Sequence, residues 1–68
     1  MRIIQVLDAL DYGDGVCNDV IRKDALLKKM GYTSLIYSKW VHEKVRKYWN
    51  DIESLRVKPD DILIHHYS

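Results

Sequence analysis

The chain opens with Arg2 followed by Ile-Ile-Gln-Val-Leu, an apolar and β-branched run with little alternation. Such a run suits a strand covered on both faces, as in a parallel sheet. From Val16 to Met30 the period changes. Val16, Val20 and Leu27, with Cys17, Ile21 and Ala25, fall on one broad side of a helix, and Arg22, Lys23 and Lys29 lie elsewhere. Gly31 supplies a stop, and Asp14 or Gly15 a cap. Thr33–Ser38 reads as a second short strand. Val41, Val45, Tyr48, Trp49 and Ile52 then recur at the spacing of a second amphipathic helix with a basic opposite side, the clearest helical pattern in the chain. Lys58-Pro59-Asp60-Asp61 is turn chemistry, and Ile62-Leu63-Ile64-His65-His66 follows as a third strand.

This alternation predicts an α/β fold: a partial Rossmann-like βαβαβ unit, a three-stranded parallel sheet with helices, forming one incomplete domain over residues 1–68. In a doubly wound sheet of order 3-2-1-4-5-6 the first strand is central and pairs on its far side with a fourth. With three strands counted, the strand at 2–7 is left as an apolar edge, which natural proteins cover. The expectation is a piece of a larger protein, or a homo-oligomer, in the simplest case a dimer, formed through that edge. Size points the same way, because a chain of 68 residues buries only about 60% of the surface its unfolded form exposes.

Composition narrows the setting. At 47% hydrophobic and 31% charged, the chain reads as soluble and globular. Cys17 is the one cysteine, so an internal disulfide is excluded and a reducing, cytoplasmic location is expected. No apolar run reaches the length of a signal core or a transmembrane segment. The net charge of +1 conceals an asymmetry: residues 8–19 carry Asp8, Asp11, Asp14 and Asp19 with no base, whereas 39–47 carry Lys39, Lys44, Arg46 and Lys47 against Glu43.

The glycines of the acidic stretch lie where α/β proteins bind ligands, yet the familiar phosphate motifs fail. Gly13 and Gly15 match the first two positions of G-x-G-x-x-G, Asn18 replaces the third, and the second strand ends in Tyr37-Ser38 rather than an acid. No Gly-Lys-Ser/Thr follows, so a P-loop is excluded as well. Carboxylates accept hydrogen bonds from sugar hydroxyls and repel phosphate, so the loop suits a cleft for hydroxyl-bearing ligands, with solvated acids and a helix cap as the plain structural alternative. A phosphoacceptor receiver domain is excluded because His65-His66 stands where its third strand needs an aspartate. Neighbouring histidines on a strand point to opposite faces, so no metal site is expected, while one imidazole facing a cleft is. The basic segment with Trp40, Tyr48 and Trp49 could stack on nucleic acid, but packing of Tyr48 and Trp49 with Val41 and Val45 accounts for it better, and no nucleic-acid partner is expected.

Three segments together resemble the N-terminus of a retaining glycosyltransferase of group 1, or family 4, with the two-domain GT-B fold. They are the opening Met-Arg-Ile-Ile-Gln-Val-Leu-Asp-Ala-Leu-Asp-Tyr-Gly-Asp-Gly-Val-Cys-Asn-Asp-Val, the Tyr37-Ser38-Lys39-Trp40 segment and the closing Lys-Pro-Asp-Asp-Ile-Leu-Ile-His-His-Tyr-Ser. The resemblance covers the whole chain but only about the first sixth of such an enzyme. It implies an acceptor-side Rossmann-like domain facing a second domain that holds a nucleotide-sugar donor. The implied substrate-binding residues are Gly13, Asp14, Gly15, Asn18, Asp19 and His66, with no metal or other cofactor. Nothing in the chain corresponds to the family's donor-contacting basic residues and paired glutamates, so it names no catalytic residue and the chain alone is expected to be inactive. A noncatalytic interaction module is the alternative expectation, and a small nucleic-acid binder a further one.

Overall fold

Ile3, Ile4, Gln5 and Leu7 are all buried although neighbours on a strand point to opposite faces, so this strand is covered on both sides. The computed structural model describes residues 1–13 and 15–67. Its elements are β1 (Arg2–Leu10), α1 (Gly15–Lys29), β2 (Thr33–Val41), β3 (Asn50–Asp51) and β4 (Ile62–His65), with 3₁₀ turns at Glu43–Tyr48 and Ile52–Ser54. The sheet has the order β3-β2-β1-β4, and every pairing is parallel. The fold is therefore α/β and compatible with a partial Rossmann-like unit, with four strands where three were expected.

The strand order corrects the expected edge. β1 is central: Ile3–Val6 pairs with Ile62–His65 on one side while Arg2–Leu10 pairs with Thr33–Val41 on the other. The strand at 2–7 has no free edge for self-association; β4 has taken that position. The apolar Ile62-Leu63-Ile64 segment pairs along the second side of β1, and Arg2 ties the turn before it to the start of β1. That guanidinium donates from Nε to Asp61 Oδ1 (3.1 Å), from Nη2 to Asp61 Oδ2 (2.5 Å) and from Nη2 to the Arg56 carbonyl (2.7 Å).

The second amphipathic helix is also corrected. Trp40 and Val41 extend β2, and the His42 side chain accepts the Lys44 amide and starts a 3₁₀ turn. Trp49 Nε1 then donates to the Ser38 carbonyl (3.1 Å) and Asn50 Nδ2 to the Ile36 carbonyl (3.1 Å). These two bonds hold the chain extended beside β2, so Asn50–Asp51 pairs as β3 opposite Tyr37–Ser38. Val45, Tyr48 and Trp49 still reach the core, because a 3₁₀ turn followed by a short strand brings the same residues inward.

The core lies between the sheet and α1. Gln5 reaches the Val20 carbonyl and Ser34 reaches Asp24, so Ile3, Gln5 and Leu7 with Ser34, Ile36 and Ser38 form the helix-facing side. Leu7, Leu10, Cys17, Val20, Ile36 and Val45 make the buried cluster, with Val16, Ile21, Val41, Tyr48 and Trp49 packed against it. Ala25, placed on the apolar side by periodicity, is exposed, and Asp24 is buried instead. The helix ends as expected: Gly31 takes φ +92°, and the Gly31 and Tyr32 amides bond back to the Lys28 and Leu27 carbonyls. Among the described residues, no helix is long and apolar enough to cross a membrane.

Candidate functional site at the carboxyl ends of β1 and β4

From β1 the chain steps outward to β2 and then β3, and β4 returns on the opposite side of β1. Strand order thus reverses between β1 and β4, and open α/β sheets bind ligands in the crevice outside the carboxyl ends of the strands at such a reversal. β4 ends opposite Val6, whereas β1 continues to Leu10, so the crevice is stepped. The chain leaves β1 toward Gly13 and α1 at this end of the sheet, and His66 follows β4 at the same end.

His66 is fixed at two points, and Gln5 extends one of them to α1. Its amide donates to the Val6 carbonyl (2.9 Å), continuing the ladder one residue beyond β4. Its ring Nε2 meets Gln5 Oε1 at 2.9 Å, and Gln5 Nε2 donates to the Val20 carbonyl at 3.0 Å. A carbonyl can only accept, so the Gln5 amide nitrogen must face Val20 and its oxygen must face His66. His66 therefore donates from Nε2, and in the neutral ring Nδ1 remains an acceptor. Partial burial holds this imidazole below its ordinary pKa; the Lys23 ammonium adds to that, Asp19 opposes it and His65 adds slightly. A neutral imidazole with an open Nδ1 can accept a hydrogen bond or a proton from a ligand hydroxyl.

The acids distribute differently from their order in the sequence. Asp8 lies within β1 and is exposed; Asp11 accepts the Tyr12 amide at 2.8 Å and turns the chain out of the strand. Asp19 pairs with Lys23 at 3.0 Å, one helical turn on, and Lys23 lowers its pKa by hydrogen bond and charge. Asp14 lies outside the described residues. Gly13 has φ +83°, a left-handed conformation that favours glycine, and Gly15 opens α1. Asn18 is exposed near the start of α1. Of the expected site residues, Asp19 and His66 are close enough for their charges to interact; Gly13 lies in the loop after β1, Gly15 opens α1 and Asn18 is exposed in its first turn.

Sequence reasoning missed three features. Gln5, fully buried, was one polar letter in an apolar run; that letter was the available signal. A polar cleft of about 220 Å³ near the amino end of β2 is lined by residues including Asp24, Lys28, Lys47 and Asn50, with Asp24 bonded to Ser34 (2.7 Å) and Lys28 (2.9 Å). A row of rings also stands at the carboxyl end of β1 and β2: Tyr12 lies 5.7 Å from His42, and His42 lies 6.2 Å from Trp40. The basic residues near it cover rings of their own, Lys44 over Tyr12, Arg46 over Trp49 and Lys47 over Tyr48.

No protein-family model, no curated protein and no solved structure matches this chain.

Proposed function

We propose that this chain is the N-terminal, acceptor-side part of a retaining GT-B glycosyltransferase, whose complete form moves a sugar from a nucleotide-sugar donor to an acceptor. The observation that carries the reading is the reversal of strand order between β1 and β4, with the glycine loop following β1 and a neutral His66 following β4 at the same end of the sheet. Carboxylates and a neutral imidazole suit hydroxyl groups, and no cationic phosphate cradle adjoins Gly13 and Gly15 in the sequence. Gly13, Gly15, Asn18, Asp19 and His66 are the binding candidates, to which the sequence adds Asp14. The chain by itself transfers no sugar, because the donor-holding half has no counterpart in it.

The test is the reading frame and its product. Continuation past Ser68 into a second α/β domain, and sugar transfer from a uridine- or guanosine-diphosphate sugar by that polypeptide, are the expected results. His66→Ala in it should lower kcat/KM for the acceptor by about tenfold, the loss of one hydrogen bond to a polar group. An in-frame stop codon after Ser68 would end the proposal.

A second reading rests on β4. Its outer edge is unpaired among the described strands, and Ile62 and Leu63 are 44% and 49% exposed. An interaction module would use this edge to add a strand from a partner or from a second copy. Sedimentation over a wide concentration range decides the homo-oligomeric form: a dimer that Leu63→Lys dissociates supports it, and a monomer at every concentration removes it.

A further inference from the structure

From the row of rings at the carboxyl end of β1 and β2 we infer a second ligand contact, a twisted stacking platform for the apolar faces of a neutral sugar, made by Trp40 and Tyr12 about His42. The inference rests on the glycosyltransferase reading and adds a subsite to it.

Trp40 is 51% exposed and Tyr12 57% exposed, two large rings left half in water in a chain that packs its other tryptophan, partly buried, against the core. Both belong to one group about His42: the Tyr12 ring is tilted 32° to it at 5.7 Å and the Trp40 ring stands edge-on to it, at 83° and 6.2 Å, so the outer rings present two inclined faces. The middle ring is held rigidly, because His42 Nδ1 accepts the Lys44 amide at 3.1 Å. In the neutral ring that bond leaves the proton on Nε2 as a donor. Ala9, the residue in register with Trp40, has only a methyl group to set beside the indole. Among the described residues the Trp40 indole N–H has no acceptor, in contrast to that of Trp49. Flat apolar faces beside unused donors suit a ligand with C–H groups on one face and hydroxyls at its rim.

Charge selects the sugar over a nucleic acid, which would stack on the same rings. Asp8 stands opposite Lys39, between the pairs Leu7–Ser38 and Ala9–Trp40, and Asp11 precedes Tyr12 while Lys44 lies 4.7 Å from its ring centroid. Two acids balance two bases, so a phosphodiester finds no net attraction, whereas hydroxyls find both donors and acceptors.

The test is a two-dimensional NMR titration of the intact labelled chain with methyl β-glucopyranoside, methyl α-mannopyranoside and maltose, alongside an oligothymidylate. The expected result is movement of the Trp40 indole N–H and the Ala9 and His42 amides with at least one sugar, unchanged in 0.5 M salt (about a 4 Å screening length). Trp40→Ala and Tyr12→Ala should each weaken that binding by about tenfold or more, and Trp40→Phe should weaken it less. Both rings are exposed, so these variants keep the fold, and their spectra verify it. Sugar-induced shifts at Gly13, Gly15 and His66 that Trp40→Ala leaves unaltered would overturn the platform while sparing the glycosyltransferase reading. Movement of these signals with oligothymidylate alone, or with no probe, would also overturn it; the reading frame past Ser68 judges the parent reading separately.

Discussion

His66 Nε2 stands 2.9 Å from Gln5 Oε1, and the second arm of the same amide holds the Val20 carbonyl of α1. One side chain thus joins the central strand, the helix and the end of β4. The bond fixes His66 as the Nε2–H tautomer, which long-range proton–nitrogen correlation should report directly. Its pKa in the fold lies below the unfolded value of about 6.5. The unfolded chain then binds the proton more readily, so His66 contributes stability above about pH 6.5 that is lost as pH falls through its folded pKa. A urea midpoint that rises from pH 5 to 7, with the rise removed in His66→Gln, is the expected outcome.

Asp61 and Arg2 produce a second acid transition. The Asp61 carboxyl has 1% side-chain exposure; the Arg2 hydrogen bond and the Lys58 amide hold it well below the ordinary carboxylate range. A depressed carboxylate contributes stability above its unfolded pKa of about 3.9, lost as pH falls through the folded value. Asp61→Asn should lower the thermal midpoint at pH 7 and narrow the gap between variant and parent below pH 3. An equal gap at both values would contradict this account.

Leu10 is fully buried in the cluster with Cys17 and Val20, whereas Leu63 is 49% exposed on the edge strand. Leu10→Ala should cost about 2–5 kcal/mol, much of the stability a domain of this size possesses. Leu63→Ala should cost under about 1 kcal/mol as monomer. Chemical denaturation of both variants at one protein concentration checks the contrast.

Asp24 offers a pair of unequal bonds on one carboxylate. Ser34 Oγ donates to it from a buried position, while Lys28 reaches it from a side chain 58% exposed. Ser34→Ala should therefore cost about 1–3 kcal/mol by leaving a buried acceptor short of a donor. Lys28→Met should cost under about 1 kcal/mol, since most of that lysine stays in water. Equal losses would place the two partners in equal environments, contrary to their burial.

The strands β1, β2 and β4 and the helix α1 were legible in the sequence because their signals are local: β-branched runs, a 3.6-residue period, a glycine stop. The segment from Val41 to Ile52 was not. Its apolar spacing satisfies a helix, and what excludes the helix is a pair of side-chain bonds from Trp49 and Asn50 to carbonyls of β2. Such bonds exist only once the sheet exists. The position of β4 was hidden for the same reason, since strand composition does not say which side of β1 a later strand will take. For the site, the glycines and His66 were visible as residue types at a strand end. Gln5 and the ring row became visible only through register, which brings positions distant in sequence to one place.

The hydrogen bonds of Arg2 to Asp61 and of Gln5 to His66 span nearly the whole length of the chain. A ribosome releasing this polypeptide exposes β1 well before β4. The central strand consequently waits, half paired, until Ile62–His65 has emerged, and closing that distance opposes folding entropically. Nascent chains stalled before Ile62 should therefore bind chaperones that recognise extended apolar segments, and release from them should coincide with the arrival of the histidine pair.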